Sequence, residues 1–332
     1  MPSVPDFRTM LAELIAIPSV SSTQPALDQG NLPVVEKLAE WLVGLGFRAE
    51  VLAVPGHPGG KANLIATLGQ GPGGLVLAGH TDTVPYDDHR WQHNPLALTE
   101  RDQRYYGLGT CDMKGFFPIA IRAAEAFADQ PLKAPLIILA TADEESSMSG
   151  AEALVAMGRP LARYAVIGEP TSLRPVRQHK SIMMESIKIT GQAGHSSDPA
   201  LGNSALEAMQ EVMQRLLDYR QELQAKHQNP GFRVHVPTLN LGCIHGGDNP
   251  NRICSHCELH FDARLLPGMT NDSVREDIRG VLAGVARERN IAIELHSLIN
   301  GVAAFMEREE SALVKTAEQL TGHRAESVAF AT

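Results

Sequence analysis

The chain has 332 residues, too many for one ordinary domain and enough for two with separate cores. Hydrophobic residues make up 43% and charged residues 20%, an ordinary globular balance. The formal charge of -9 comes with no basic block or basic helical face, which argues against a nucleic-acid partner.

Phe7, Met10, Leu11, Leu14 and Ile15 recur at helical spacing and predict an opening amphipathic helix. A second is expected through Val35, Leu38, Leu42 and Leu45, closed by Gly44 and Gly46. The texture then changes to short apolar runs at 63–68, 75–79, 136–141 and 164–168. Such runs read as strands buried on both faces, within an α/β layer that has helices on both faces of a mostly parallel sheet. The glycines of 69–74 precede a strand and not a helix, so they read as a turn and not as a phosphate cradle.

After Glu169-Pro170-Thr171 comes a strand at 182–190, then a helix opened by the capping box Ser204-Ala205-Leu206-Glu207 with Leu206, Met209, Met213 and Leu216 on one face. Strands at 238–244 and 253–264, a helix over 271–289 and a strand at 291–296 complete a βαββαβ order, which predicts a ferredoxin-like α+β domain inserted at 179–298. Residues 1–178 and 299–332 would form the host domain, whose last part holds a helix (Leu313, Val314, Ala317, Leu320) and an apolar run at 328–331. Met1-Pro2-Ser3-Val4-Pro5-Asp6 lacks the basic start and apolar stretch of a leader, and no apolar run approaches the ~20 residues of a membrane span. Cys111, Cys243, Cys254 and Cys257 have no framework spacing, so a reduced, cytoplasmic setting and no membrane partner are expected. Cys254-Ser255-His256-Cys257 lacks the second half of a zinc ribbon and reads as strand.

Four clusters sit just after one of the predicted strands or in the loop that follows: Gly79-His80-Thr81-Asp82, Gly107-Leu108-Gly109-Thr110-Cys111-Asp112-Met113-Lys114-Gly115, Asp143-Glu144-Glu145 and Gly168-Glu169-Pro170-Thr171. Singly, a His after a strand reads equally well as a capping residue, and Asp-Glu-Glu as a solvated turn. Together they supply one imidazole and several carboxylates at the sheet edge where α/β proteins bind ligands. That set suits paired zinc or similar ions, which lie about 3.5–4 Å apart and need a bridging carboxylate. Asp112, in a Gly-rich loop, suits the bridge.

These motifs, with His80-Thr81-Asp82-Thr83-Val84-Pro85 and Gly191-Gln192-Ala193-Gly194-His195-Ser196-Ser197, resemble the co-catalytic zinc peptidase family that includes desuccinylases, aminoacylases and glutamate carboxypeptidase. The resemblance covers nearly the whole chain. Pro237-Thr238-Leu239-Asn240-Leu241-Gly242, the stretch Gly246-Gly247-Asp248-Asn249-Pro250-Asn251-Arg252-Ile253 and Gly168-Glu169-Pro170-Thr171-Ser172-Leu173 are most similar to its deacetylase branch. The resemblance implies a zinc-peptidase catalytic domain, an inserted lid and dimerisation domain, and hydrolysis of an N-acyl amino acid amide, with desuccinylase or general aminoacylase activity as the alternative.

It further implies that His80 and Glu169 bind one zinc, Glu145 the other, and Asp112 bridges them, with Co2+ an acceptable substitute. Asp82 would fix the imidazole of His80, and Glu144 would be the general base, the two diverging from Glu145 at a strand end. A cis peptide is implied between Asp112 and Met113. His195 would reach across a homodimer to an oxyanion, although it also reads as a turn histidine beside Ser196 and Ser197. Asn251 and Arg264 would hold the substrate carboxylate, although Arg264 equally suits a pair with Asp262. Family members continue past Thr332 with a histidine that completes the second metal site, and His323 is not in its place. The expectation for this chain is one tightly held metal, and the rival reading is a silent homologue that dimerises or binds metal.

Overall fold

The computed structural model describes residues 4–57 and 59–331. Residues 1–3, which carry part of the leader reading, and Pro58 and Thr332 lie outside the described residues. Two compact units succeed one another, the first through Ser172 and the second from Leu173. Among the described residues, no helix is long and apolar enough to cross a membrane.

In the first unit, α1 (Phe7–Ala16) and α2 (Leu32–Gly44) precede β1 (Arg48–Ala53), β2 (Ala62–Leu68) and β3 (Leu75–His80). The hairpin β4 (Thr99–Arg101) and β5 (Arg104–Tyr106) leads to α3 (Phe116–Glu125), β6 (Leu136–Thr141), α4 (Ser149–Met157) and β7 (Tyr164–Ile167). α1 starts at Asp6, whose Oδ1 accepts the Thr9 amide at 2.9 Å. The five-stranded sheet runs β1-β2-β6-β3-β7. Strand alternation divides its core. Leu64, Ala66, Ile138 and Ala140 pack against Met10, Leu14, Leu38, Leu42, Phe117 and Ile121 of α1–α3. Ile65, Ile137 and Val76 face the other way, onto Leu154 of α4. Helices therefore cover both faces, as the apolar runs imply, and each such side chain contributes roughly 1.5–3 kcal/mol by its burial.

The sheet is mostly parallel in strand direction, as expected: β1, β6, β3 and β7 point the same way, and β2 alone runs against them, antiparallel to β6 and to β1. The short connection between β1 and β2 permits only antiparallel neighbours. One expectation is corrected: the last apolar run is not buried on both faces. Val166 and Ile167 of β7 are 38% and 51% exposed, because β7 is the last strand of the order and bonds to β3 alone among the described residues. The glycine stretch between β2 and β3 is a turn, with positive φ at Gly69, Gly71, Gly73 and Gly74.

In the second unit β8 (Val176–His179) precedes β9 (Met183–Thr190), α5 (Ala205–Lys226), β10 (Thr238–Gly246), β11 (His256–Arg264), α6 (Asn271–Arg289) and β12 (Ala292–Ser297). The remainder is β13 (Phe305–Met306), α7 (Ala312–Thr321) and β14 (Glu326–Val328). The antiparallel order β10-β11-β9-β12 is the ferredoxin-like arrangement expected from βαββαβ. α5 and α6 cover one face, burying Met209, Val212, Leu216, Ile278 and Leu282 against Ile187, Leu259 and Phe261. The serine half of the expected capping box is present, since Ser204 Oγ accepts the Glu207 amide at 3.3 Å. Leu206 is not on the buried face; it is 47% exposed, and Ala205 and Ala208 take the inward positions. On α7 only Val314 is buried. β13 and β14 flank β8 in a separate three-stranded sheet.

Candidate metal centre

β6, β3 and β7 run parallel, so their C-terminal ends share one edge of the sheet. His80 ends β3, Glu144 and Glu145 follow β6, Glu169 follows β7, and Asp112 lies in the loop before α3. The ligand atoms of His80, Glu144 and Glu169 lie within 4.8 Å of one another, and so do those of His80, Asp112 and Glu145. His80 Nε2 is 3.0 Å from Asp112 Oδ1 and 3.9 Å from Glu169 Oε1. The Asp112–Met113 peptide is cis, as the resemblance implies.

The electrostatics ask for a cation. Burial works against a charged His80, but the Asp112 bond and the charges of Asp82, Glu144 and Glu169 outweigh it and raise its pKa to about 9. Burial, helped by Asp112, Glu144 and Asp82 against the pull of His80, raises Glu145 to about 7. In the absence of a metal, the proton on Nε2 neutralises carboxylates that a metal ion would otherwise hold. Nδ1 is 3.0 Å from the Asp82 carbonyl, which leaves Nε2 as the ligand atom. The Asp82 carboxylate stands farther off, 3.6 Å from Nδ1 through Oδ1, while Oδ2 accepts the Glu145 amide at 3.0 Å. Asp82 Oδ1 is buried without a hydrogen-bond partner. The donor set and this orphaned oxygen fit a bound cation.

Three features of the site are not visible in the motifs. Asp143, buried and at φ 59°, turns the chain beyond β6, so Glu144 and Glu145 diverge from a turn and not from a strand end. Its Oδ1 accepts Ser21 Oγ at 2.8 Å and the Lys61 ammonium, and its Oδ2 accepts Ser149 Oγ at 2.8 Å. Lys61, 5% exposed, also donates to Asp28 at 2.6 Å. The left-handed preference of Asp is a sequence signal for the turn; a buried lysine has none.

Lys114 is the third. Its amine is buried and donates to the carbonyls of Leu14 (3.2 Å) and Ile17 (2.7 Å), tying the Asp112 loop to the end of α1. Burial lowers its pKa from 10.5 to about 8. Between those values the unfolded chain binds the extra proton, so this group makes stability rise with pH, by at most about 3 kcal/mol. Denaturant titrations from pH 7.5 to 10.5 should show that slope in the parent relative to Lys114→Met; equal slopes would refute it.

The remaining candidates lie in the second unit. His195 is exposed, and its Nδ1 accepts the Ser197 amide at 3.2 Å, with Ser197 Oγ at 2.7 Å. That acceptor role puts the proton of the neutral ring on Nε2, which becomes a donor. The Asn251 loop is tied to it, since the Ser196 amide donates to the Asn251 carbonyl at 3.0 Å. Arg264 instead forks onto Asp262, at 3.0 Å.

A histidine shared by carboxylate triads at parallel strand ends, with a ferredoxin-like second unit, defines a metal-dependent hydrolase. The chain belongs to peptidase family M20/M25/M40, which it matches over residues 76–328. It is 46% identical over 329 residues to the acetylornithine deacetylase of Edwardsiella ictaluri, covering 99% of this chain and 86% of that protein. Identity to the acetylornithine deacetylase of Pasteurella multocida is 45% over 332 residues, covering 100% and 87%. In fold, the chain is similar to aminopeptidase PepT from Bacillus cereus, with a TM-score of 0.72 at 19% identity over 98% of this chain and 84% of that one. The YXEP protein of Bacillus subtilis, described as a dinuclear metal binding peptidase, gives 0.62 at 17% identity, over 98% and 83%.

Proposed function

We propose that the chain hydrolyses N-acetylornithine to ornithine and acetate, a step of arginine biosynthesis in the cytoplasm. The observation that carries this reading is the His80-centred pair of carboxylate triads in a chain 46% identical to acetylornithine deacetylase. His80 and Glu169 would hold one zinc and Glu145 the other, with Asp112 between them. Bound zinc supplies Lewis-acid polarisation of the amide carbonyl and acidifies water. Glu144 takes the proton of the attacking water and delivers it to the departing amine. Asp82 holds the imidazole of His80 through its carbonyl. Asn251 and Arg264 would receive the substrate carboxylate, Arg264 by exchanging Asp262 for it. Zinc-loaded chain should release acetate from N-acetylornithine faster than it releases acyl groups from N-succinyl-diaminopimelate or N-acetylmethionine. Retained zinc with no cleavage of any of the three would overturn the reading in favour of a silent homologue.

We further propose the domain division 1–178 with 299–332 against 179–298, and a homodimer through the inserted part in which His195 serves the opposite site. The Nε2 donor fixed by Ser197 supports the oxyanion role. Mixing Glu144→Gln and His195→Ala chains, each inactive, should restore roughly a quarter of parental activity, because half the dimers are hybrid and one of their two sites is intact. Hybrids that stay inactive would place His195 in its own chain's chemistry or outside it.

A further inference from the structure

The ferredoxin-like sheet has a second face, which α5 and α6 do not cover. On β11 the residues alternate strictly: Cys257, Leu259, Phe261 and Ala263 are buried, while Glu258 and His260 face outward. β10 does not keep such a phase. Leu239 and Leu241 stand opposite Ala263 and Phe261 on the core side, but the register shifts between Leu241 and Cys243, with Gly242 unpaired. Cys243 then stands opposite His260, and His245 opposite Glu258. The bulge thereby turns a thiol and an imidazole outward beside a second imidazole and a carboxylate.

We propose that Cys243, His245, His260 and Glu258 form a further metal site, for a borderline divalent cation such as Zn2+ or Co2+, on this outward face. Directly opposed side chains have Cβ atoms about 5 Å apart, so the four occupy a block small enough for one ion. Two pairs are already in hydrogen-bond contact, Cys243 Sγ with His245 Nε2 at 3.0 Å and His260 Nε2 with Glu258 Oε1 at 2.9 Å, and an ion entering would take the place of those bonds. The His245 and His260 rings meet edge to face with centroids 6.4 Å apart. The four donors do not converge within ligand distance of one another in the free protein, so binding requires the half-buried His260 ring to swing from Glu258 toward the first pair. On the neighbouring strand β9, Ser186 Oγ donates to Glu258 Oε1 at 2.5 Å, and Lys188 Nζ stands 3.8 Å from the same oxygen.

Thiolate, two imidazoles and a carboxylate make a mixed donor set that suits zinc or cobalt and disfavours calcium and magnesium. An ion there would clip β10, the outermost strand of its sheet, to β11 just beyond the bulge. No residue of the centre near His80 takes part.

Cobalt gives a readout that separates the two places, because a thiolate ligand adds a sulfur-to-cobalt charge-transfer band and the His80 centre offers only nitrogen and oxygen. Co2+ titrated into the reduced parent and into His80→Ala should raise that band in both to the amplitude of one thiolate-bound cobalt per chain, with the parent taking up further cobalt at the His80 centre without adding to the band. Cys243→Ser should remove it, and His260→Ala should weaken the apparent affinity at least tenfold. Cys243 and His245 are exposed, so the serine variant should melt with the parent when no metal is added. No band in the parent, or a band that survives Cys243→Ser and so belongs to another thiol such as Cys111, would overturn the proposal.

Discussion

Glu144→Gln is expected to lower amide hydrolysis by ~10²–10⁴-fold while zinc content stays at the parental level. The substitution keeps the size and position of the side chain and removes only the basic oxygen. The measurement matters because the geometry treats the two adjacent glutamates alike. Glu144 lies within ligand distance of His80 and Glu169, just as Glu145 does of His80 and Asp112. Metal analysis after dialysis, run beside Glu145→Gln, separates them. If Glu144→Gln lost metal and Glu145→Gln kept it, the roles of the pair would be exchanged.

Lys61→Met should destabilise the first unit by ~3–5 kcal/mol, because it leaves Asp143 buried with its charge uncompensated. Burial opposes the Lys61 charge, but its bonds to Asp143 and Asp28 outweigh that and raise its pKa, so the ammonium is the form the fold retains. The loss should extend to activity, since Asp143 sets the turn from which both glutamates reach the site. The double variant Lys61→Met/Asp143→Asn should recover much of the stability, because Asn keeps the left-handed turn and can still accept from Ser21 or Ser149. Urea unfolding decides the first claim: a change below about 1 kcal/mol in Lys61→Met would mean that solvent or Asp28 already satisfies Asp143.

What sequence alone conveys here follows from periodicity and local chemistry. The spacing of Met10, Leu14, Val35 and Leu38 marks α1 and α2, and the four apolar runs mark β2, β3, β6 and β7. His80, Glu144, Glu145 and Glu169 are legible because each follows one of those runs and parallel strands gather their ends, and Asp112 because it sits in a Gly-rich loop. β1 escaped because Arg48 and Glu50 interrupt its apolar residues on an edge strand, and the β4–β5 hairpin because its strands are three residues long, largely exposed and carry no apolar run. Leu206 misled because helical spacing defines a stripe only to within a residue or so, and the wider burial of α5 centres on Ala205 and Ala208. Lys61 and Lys114 are invisible for a different reason. A lysine in sequence reads as surface, and only the carbonyls and carboxylates brought to it from distant segments permit its burial.

The bulge at Gly242 also bears on how this protein can change over evolutionary time. By shifting the phase of β10, it separates the positions that hold the sheet to its helices from the positions that face solvent. Leu239 and Leu241 belong to the packed side, and substitutions there are constrained by volume. Cys243 and His245 are released from that constraint, so they can be exchanged for other surface residues within about 0.5 kcal/mol. A lineage can therefore acquire, alter or discard chemistry on that face without passing through a poorly folded intermediate. The catalytic unit lacks this freedom, because His80 and Asp82 are themselves buried in the framework they serve.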